Sequence, residues 1–222
     1  MIIGEDFVWA HLGKTAGDAT YDLFQAAIPD LIVAADPPES PSKHRSFLAA
    51  SVGPLEGKTL LLNLRRLPAW RLSMAHHRAR HGSPSDPTPK PMPAPEDMAR
   101  DGLGDSNLAA FTGGHQLTID RGLRMEHLVD DFLAFASELR PLTDEEIERT
   151  RVAGRPSKQG DYNHETREVF PPRLERALYD ANPVWAELEE RVYGGLPFER
   201  RWWHLGWFRS GVHVRDRRAR AG

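Results

Sequence analysis

Residues 58–64 read KTLLLNL, an apolar run interrupted only by a threonine and an asparagine. A strand with apolar side chains on both faces has to be covered on both faces, which is the position of a central strand in a parallel sheet. The run passes into a charged turn and then into PAWRLSMAHHRARHG (68–82), which opens on proline and closes on glycine, as helices do. The same order occurs at the start of the chain. FVWA (7–10) reads as a short buried strand and HLGKTAG (11–17) as a turn; from Tyr21 onward Leu23, Phe24 and Ala27 recur at helical spacing before Pro29. Two strand–turn–helix units point to an α/β fold, a three-layer α/β/α arrangement on an open, mostly parallel sheet.

The rest of the chain fits one domain over 1–222. LIVAA (31–35) reads as a strand, and KHRSFLAASVG (43–53) as a helix stopped by Gly53. QLTIDRGLRME (116–126) supplies one or two strands. HLVDDFLAFASELR (127–140) is an amphipathic helix with Leu128, Phe132, Phe135 and Leu139 on one face. TDEEIER (143–149) starts a helix on a threonine cap. PPRLERALYDANPVWAELEERVYG (171–194) reads as two helices broken near Pro183. Residues 82–107 are proline-rich and poor in large apolar side chains, which predicts a mobile surface insert, either inert or a lid. The segment 200–222 is an aromatic and then basic tail. Its Trp202, Trp203, Trp207 and Phe208 read as core covering ahead of an acceptor platform or a homodimer patch.

Composition removes several classes of function. The net charge is −3, so no overall field attracts nucleic acid, and any anion site has to be built locally. The absence of cysteine excludes disulfides, thiolate metal sites and a cysteine nucleophile. No stretch approaches the roughly 18 apolar residues of a membrane span, and no basic leader precedes an apolar run. The expectation is a cytoplasmic protein without a membrane span.

The turn HLGKTAG has the chemistry of an anion site. Glycines let the backbone come close to a ligand, and the helix that follows offers unpaired N–H donors and the positive end of its dipole. Lys14 adds a point charge. The long phosphate loop G-x-x-x-x-G-K-[ST] would need a glycine at Val8, so that cradle is missing, and a solvated lysine in an ordinary turn is the competing reading. A further constellation, Arg65, Arg66, Arg71 and Ser73, gathers where KTLLLNL meets its helix. Arginine forks suit phosphate, although arginines at a strand end are also often solvated or paired with acids. Two anion sites on neighbouring strand ends fit a nucleotide with phosphates at both ends of its ribose.

At these residues the chain resembles the sulfotransferases that use 3′-phosphoadenosine 5′-phosphosulfate, in particular their carbohydrate-type and bacterial branches, which have a P-loop-like nucleotide-binding fold. The family's phosphosulfate motif has the form H-x-P-K-T-[AG]-G-T-S between strand and helix. This chain has His11, Leu12, Gly13, Lys14, Thr15, Ala16, Gly17, Asp18, Ala19 and Thr20. The family's 3′-phosphate motif has the form R-[DN]-P-x-[DE]-R-x-x-S, matched here by Arg66, Pro68 and Arg71, with Ser73 one residue early. Glu126 falls at the family's strand-end glutamate, and Lys43–His44 resembles a segment between the two motifs. The likeness runs in order over about residues 5–195, and the phosphosulfate motif is its specific part. Three positions of that motif depart: Gly13 replaces proline, and Asp18 and Ala19 replace a hydroxyl pair. A carboxylate beside a phosphosulfate is repulsive unless it faces away or caps the helix.

The resemblance implies in-line sulfuryl transfer to a hydroxyl or amine acceptor, carbohydrate or small molecule, with the phosphosulfate nucleotide as cosubstrate and no metal. Lys14 would stabilise the leaving phosphate. Gly13 and the backbone of Thr15 to Asp18, with Ala19 and Thr20, would hold the 5′ end. Arg66 and Ser73 would hold the 3′-phosphate, with Arg65 or Arg71 assisting. Arg155 and Lys158 would lie over the nucleotide. His44 is the candidate general base and His11 the alternative candidate, while Glu126 anchors strand to helix. His77 and His81 have i, i+4 chelating spacing but no acidic third ligand in the stretch. A non-catalytic nucleotide-binding module and a small-molecule kinase are the rival readings.

Overall fold

The computed structural model describes residues 1–82, 86–154 and 162–197. Five strands form one sheet in the order β3-β1-β2-β4-β5, with β1 Ile2–Gly4, β2 Phe7–Ala10, β3 Ile32–Ala35, β4 Thr59–Leu64 and β5 Arg121–Arg124. Strand β4 is parallel to both of its neighbours, in register Ala10↔Leu62 with β2 and Asn63↔Leu123 with β5. Strand β1 runs antiparallel to β2 and to β3. The sheet is therefore mixed, which corrects the mostly parallel expectation. The cause is local: only Glu5 and Asp6 separate β1 from β2, and a two-residue link closes a hairpin, whereas a parallel pair needs a crossover of a dozen residues or more.

Alternation along the strands divides the interior into two cores. Val8, Ala10, Leu60, Leu62 and Leu64 face one side, and Phe7, Trp9, Leu61 and Leu123 face the other. The Phe7 face carries α1 (Gly17–Ala27), α5 (Leu128–Leu139) and α6 (Asp144–Ala153). There Phe24 stacks on Phe7 at 5.4 Å and meets Phe132 edge-on at 4.8 Å. The Val8 face carries α2 (Leu67–His81), α4 (Leu103–Thr112), α8 (Pro172–Asp180) and α9 (Pro183–Tyr193), packed around Trp70, Tyr179 and Trp185. Short helices α3 (Pro95–Met98) and α7 (Thr166–Val169) complete this side. Helix α6 opens on a full capping box. The Thr143 hydroxyl accepts from the Glu146 N–H at 3.2 Å, and the Glu146 carboxylate accepts from the Thr143 N–H at 2.8 Å.

Two expectations change. Residues 43–53 are not a helix: single 3₁₀ turns at Pro41–His44 and Ala50–Val52 flank a hydrogen-bonded turn at Phe47–Leu48. Contacts from distant segments override the local periodicity. The Ser46 hydroxyl and the Phe47 N–H both donate to the Phe111 carbonyl, and Arg45 pairs with Asp36. The proline-rich range 82–107 also contributes to the core. Among the described residues of this range only 87–94 are continuously exposed, after which α3 places Met98 and Ala99 in the interior. Between Gln116 and Glu126 there is one strand, β5. The tail 200–222 lies outside the described residues.

Candidate functional site

Strand β2 ends at Ala10 and the chain turns sharply before α1. Lys14 and Ala16 take left-handed backbone conformations, φ 68° and 64°, which L-residues with side chains adopt at a cost of roughly 1–2 kcal/mol each. Alternating hands of this kind turn successive N–H groups to one side, the nest geometry that suits an anion. Ala16 is also the N-cap of α1 and supplies no side-chain cap, so the helix start keeps its donors for something else.

The strained turn is held from behind. Thr15 is fully buried and its hydroxyl donates to the Leu12 carbonyl at 2.6 Å. Asn63, from apolar strand β4, donates to the Thr15 carbonyl at 2.7 Å and to the Thr20 hydroxyl at 2.5 Å. Its own carbonyl accepts from the Trp9 indole N–H at 2.9 Å. Thr20 in turn donates to the Ala16 carbonyl at 3.0 Å. From the other side, the Trp70 indole donates to the Gly13 carbonyl at 3.0 Å. Neither Asn63 nor Trp70 stands out as a site residue in the sequence. The readable signal for Asn63 is a lone amide in an otherwise apolar strand, since a buried amide requires partners. The Thr20 side chain is fully buried, and its hydroxyl bonds within the turn's own scaffold. Ala19 packs against the α1 core and brings only backbone to the helix start.

The two glycines have different reasons. A Cβ on Gly17 would fall 1.8 Å from His11 Cδ2, so this glycine lets the imidazole lie against the helix start. A Cβ on Gly13 would meet nothing closer than 3.9 Å, so a side chain fits there.

His11 is 7% exposed, with its ring 5.6 Å from Trp9 and 4.4 Å from His44. Burial, reinforced by the neighbouring His44, pushes its pKa down to about 3, so it is neutral and acts as packing. The Nδ1 of His44 lies 2.8 Å from the His11 carbonyl. A carbonyl only accepts, so Nδ1 carries the hydrogen and Nε2 keeps its lone pair. Burial also lowers the pKa of His44, partly offset by that hydrogen bond. This is the configuration of a neutral general base held in one tautomer.

Lys14 is half-buried, and its proton affinity is lowered first by burial and then by Arg65 and Arg80. Asp18 opposes these effects, but Asp18 is itself bonded to Lys43, Oδ1 to Nζ 3.1 Å. One face of α2 covers the site, with Trp70 and Met74 against Gly13 and His77 in the field of Lys14.

Two arginines of the constellation, Arg66 and Arg71, pair with acids. Arg66 donates to Glu189 at 3.0 Å and to the Gly195 carbonyl at 2.8 Å, and its guanidinium lies 4.1 Å over the Tyr193 ring. Glu189 is fully buried and also accepts from the Leu67 N–H at 2.8 Å and the Tyr179 hydroxyl at 2.7 Å. Arg71 is 4% exposed and paired with Asp101, and Ser73 is 5% exposed on the inner side of α2. Arg65, half-buried just past the end of β4, adds to the lowering of Lys14's proton affinity. Glu126 takes the Tyr193 hydroxyl and so ties the end of β5 to α9. His77 and His81 have ring centroids 5.0 Å apart, and no group of three or more metal-ligating side chains occurs among the described residues. Arg155 and Lys158 lie outside the described residues, as do Trp202, Trp203, Trp207 and Phe208. No helix among the described residues is long and apolar enough to cross a membrane. Comparison with protein-family models, with curated proteins and with solved structures returns no match.

Proposed function

We propose that this chain is a sulfotransferase that moves the sulfuryl group of 3′-phosphoadenosine 5′-phosphosulfate to a hydroxyl acceptor, carbohydrate or small molecule, on a P-loop-like nucleotide-binding fold. One observation carries the reading. Lys14 sits in a nest-like turn at an uncapped helix start, unpaired among the described residues, and a histidine with its tautomer fixed by the His11 carbonyl, His44, lies against Gly13 of the same turn.

The chemistry follows from that arrangement. The acceptor oxygen attacks sulfur in line, the bond from sulfur to the 5′-phosphate oxygen breaks, and the acceptor proton passes to His44 Nε2. Backbone N–H groups of Thr15 to Asp18 receive the 5′-phosphate, and Lys14 neutralises charge growing on the leaving oxygen. Half-burial strengthens both effects, because charges act further in a medium less polarisable than water.

Calorimetry with 3′,5′-adenosine bisphosphate, ADP and GDP tests the proposal. The bisphosphate is expected to bind about tenfold or more tightly than either diphosphate, and Lys14→Ala to abolish transfer in a folded protein. Equal affinity for all three nucleotides, or full transfer by the Lys14→Ala variant, would refute it. Tight bisphosphate binding with no turnover on any hydroxyl acceptor would favour the non-catalytic module.

A further inference from the structure

We infer that Lys43 is a positioning residue for donor binding that acts through Asp18: it binds the Asp18 carboxylate and cancels its charge at the start of α1, where the 5′ end of the donor is held. The inference rests on the sulfotransferase reading above, which supplies the anion, and deepens it at the phosphosulfate end.

A carboxylate at residue 18 runs against the chemistry of an anion site. Asp18 is the second residue of α1, directly after Gly17, so its own N–H is one of the free donors at the helix start. Covalent geometry therefore keeps its carboxylate close to any anion those donors hold. Like charges at such a separation repel, and more strongly in a partly buried site than in open water. An acid in the first turn often serves its own helix, through the dipole or the free N–H groups. Here the N-cap Ala16 supplies no side-chain cap, and the hydrogen bond that Asp18 Oδ1 accepts comes from Lys43 Nζ at 3.1 Å.

Lys43 is held in place by its own segment. It belongs to the 3₁₀ turn Pro41–His44, where its N–H donates to the Ser40 carbonyl at 3.2 Å and the Ser40 hydroxyl accepts from the Ser42 N–H at 3.2 Å. On its other side, His44 is tied to the His11 carbonyl at 2.8 Å, and its Cε1 lies 4.0 Å from where a Cβ on Gly13 would stand. The lysine side chain is 23% exposed and the aspartate 45%. An ion pair this open to water adds little to folding, so its effect falls on the site and not on the fold. With Lys43 in place the pair carries no net charge, and the backbone donors and Lys14 set the sign of the site. With Lys43 removed, an uncompensated carboxylate stands where the phosphate has to come.

The test is a double-mutant cycle on the full chain, read by calorimetry with 3′,5′-adenosine bisphosphate. Lys43→Gln should weaken binding about tenfold or more, with a melting temperature within about 2 °C of wild type. Asp18→Asn should tighten binding about threefold, because the Lys43 cation then stands without its anion. In the Asp18→Asn background, Lys43→Gln should weaken binding by only about threefold, since no carboxylate remains to be cancelled. A Lys43→Gln protein with wild-type affinity, or an Asp18→Asn protein that binds more weakly than wild type, would overturn the inference while the parent reading stands. So would a Lys43→Gln loss of the same size in both backgrounds, the mark of a lysine that touches the nucleotide itself. A wild type that does not bind the bisphosphate overturns both.

Discussion

Asn63 joins strand β4 to the strained turn, and its removal gives the sharpest test of how the site is held. The Trp9 indole N–H can only donate, so it fixes the amide orientation: Oδ1 toward Trp9, Nδ2 toward the Thr15 carbonyl and the Thr20 hydroxyl. Asn63→Ala deletes all three hydrogen bonds. Each contributes about 1 kcal/mol net, and the buried Trp9 and Thr15 groups left without partners raise the cost by about 1–3 kcal/mol more. A total of about 4–6 kcal/mol corresponds to a fall in melting temperature of roughly 10–20 °C in a chain of this size. Asn63→Asp separates hydrogen bonding from simple loss of packing. A carboxylate oxygen would then face the Thr15 carbonyl oxygen at the 2.7 Å now occupied by an N–H donor. The position is 1% exposed, so the introduced carboxyl has a folded pKa above its unfolded value near 3.9. Its penalty relative to wild type is therefore full at neutral pH and shrinks as pH falls through the folded pKa toward about 4, where a protonated oxygen can donate. Urea unfolding of wild type and both variants at pH 7.5, 6 and 5 measures this. An Asn63→Ala protein within about 1 kcal/mol of wild type, or an Asn63→Asp penalty that stays flat or grows in acid, would refute the reasoning.

Two further outcomes follow from the same geometry. Gly17→Ala should destabilise by about 1–3 kcal/mol, because its Cβ would lie 1.8 Å from the buried His11 ring. Adding His11→Ala should return most of that loss, and a double-mutant cycle that sums to additivity would show that the ring is not what confines residue 17. On the proposed reaction, neutral His44 and protonated Lys14 are required together. The acid limb of kcat/KM should have an apparent pKa below 6.5 and the alkaline limb one below 10.5, both lowered mainly by burial. His44→Gln should remove the acid limb, and a limb left unchanged in that variant would clear His44 as the base.

The sequence makes the helices legible where their ends are marked chemically. Thr143 and Glu146 announce α6, Pro68 and Gly82 bracket α2, and Pro183 separates α8 from α9. Strand β4 is equally plain from its composition. Strand β1 is not: three residues carry too little pattern, and its antiparallel pairing decides whether the sheet is mixed. The stretch 43–53 has helical spacing, but its backbone partners lie at Phe111, more than sixty residues away, where no local pattern reaches. At the site, Lys14, Gly17 and His44 are readable from residue type and order. The pairing of Asp18 with Lys43, the burial of Thr20 and the commitment of Arg66 to Glu189 depend on which segments meet in three dimensions, and side-chain identity alone does not encode that.

Lys43 and His44 are consecutive, and they fasten to opposite flanks of the same turn, one to Asp18 at the helix start and the other to the His11 carbonyl at the strand end. On the proposed reaction, the proton acceptor would take its stance from the donor's turn instead of from the sheet beneath, so a shift of the turn would carry the histidine with it.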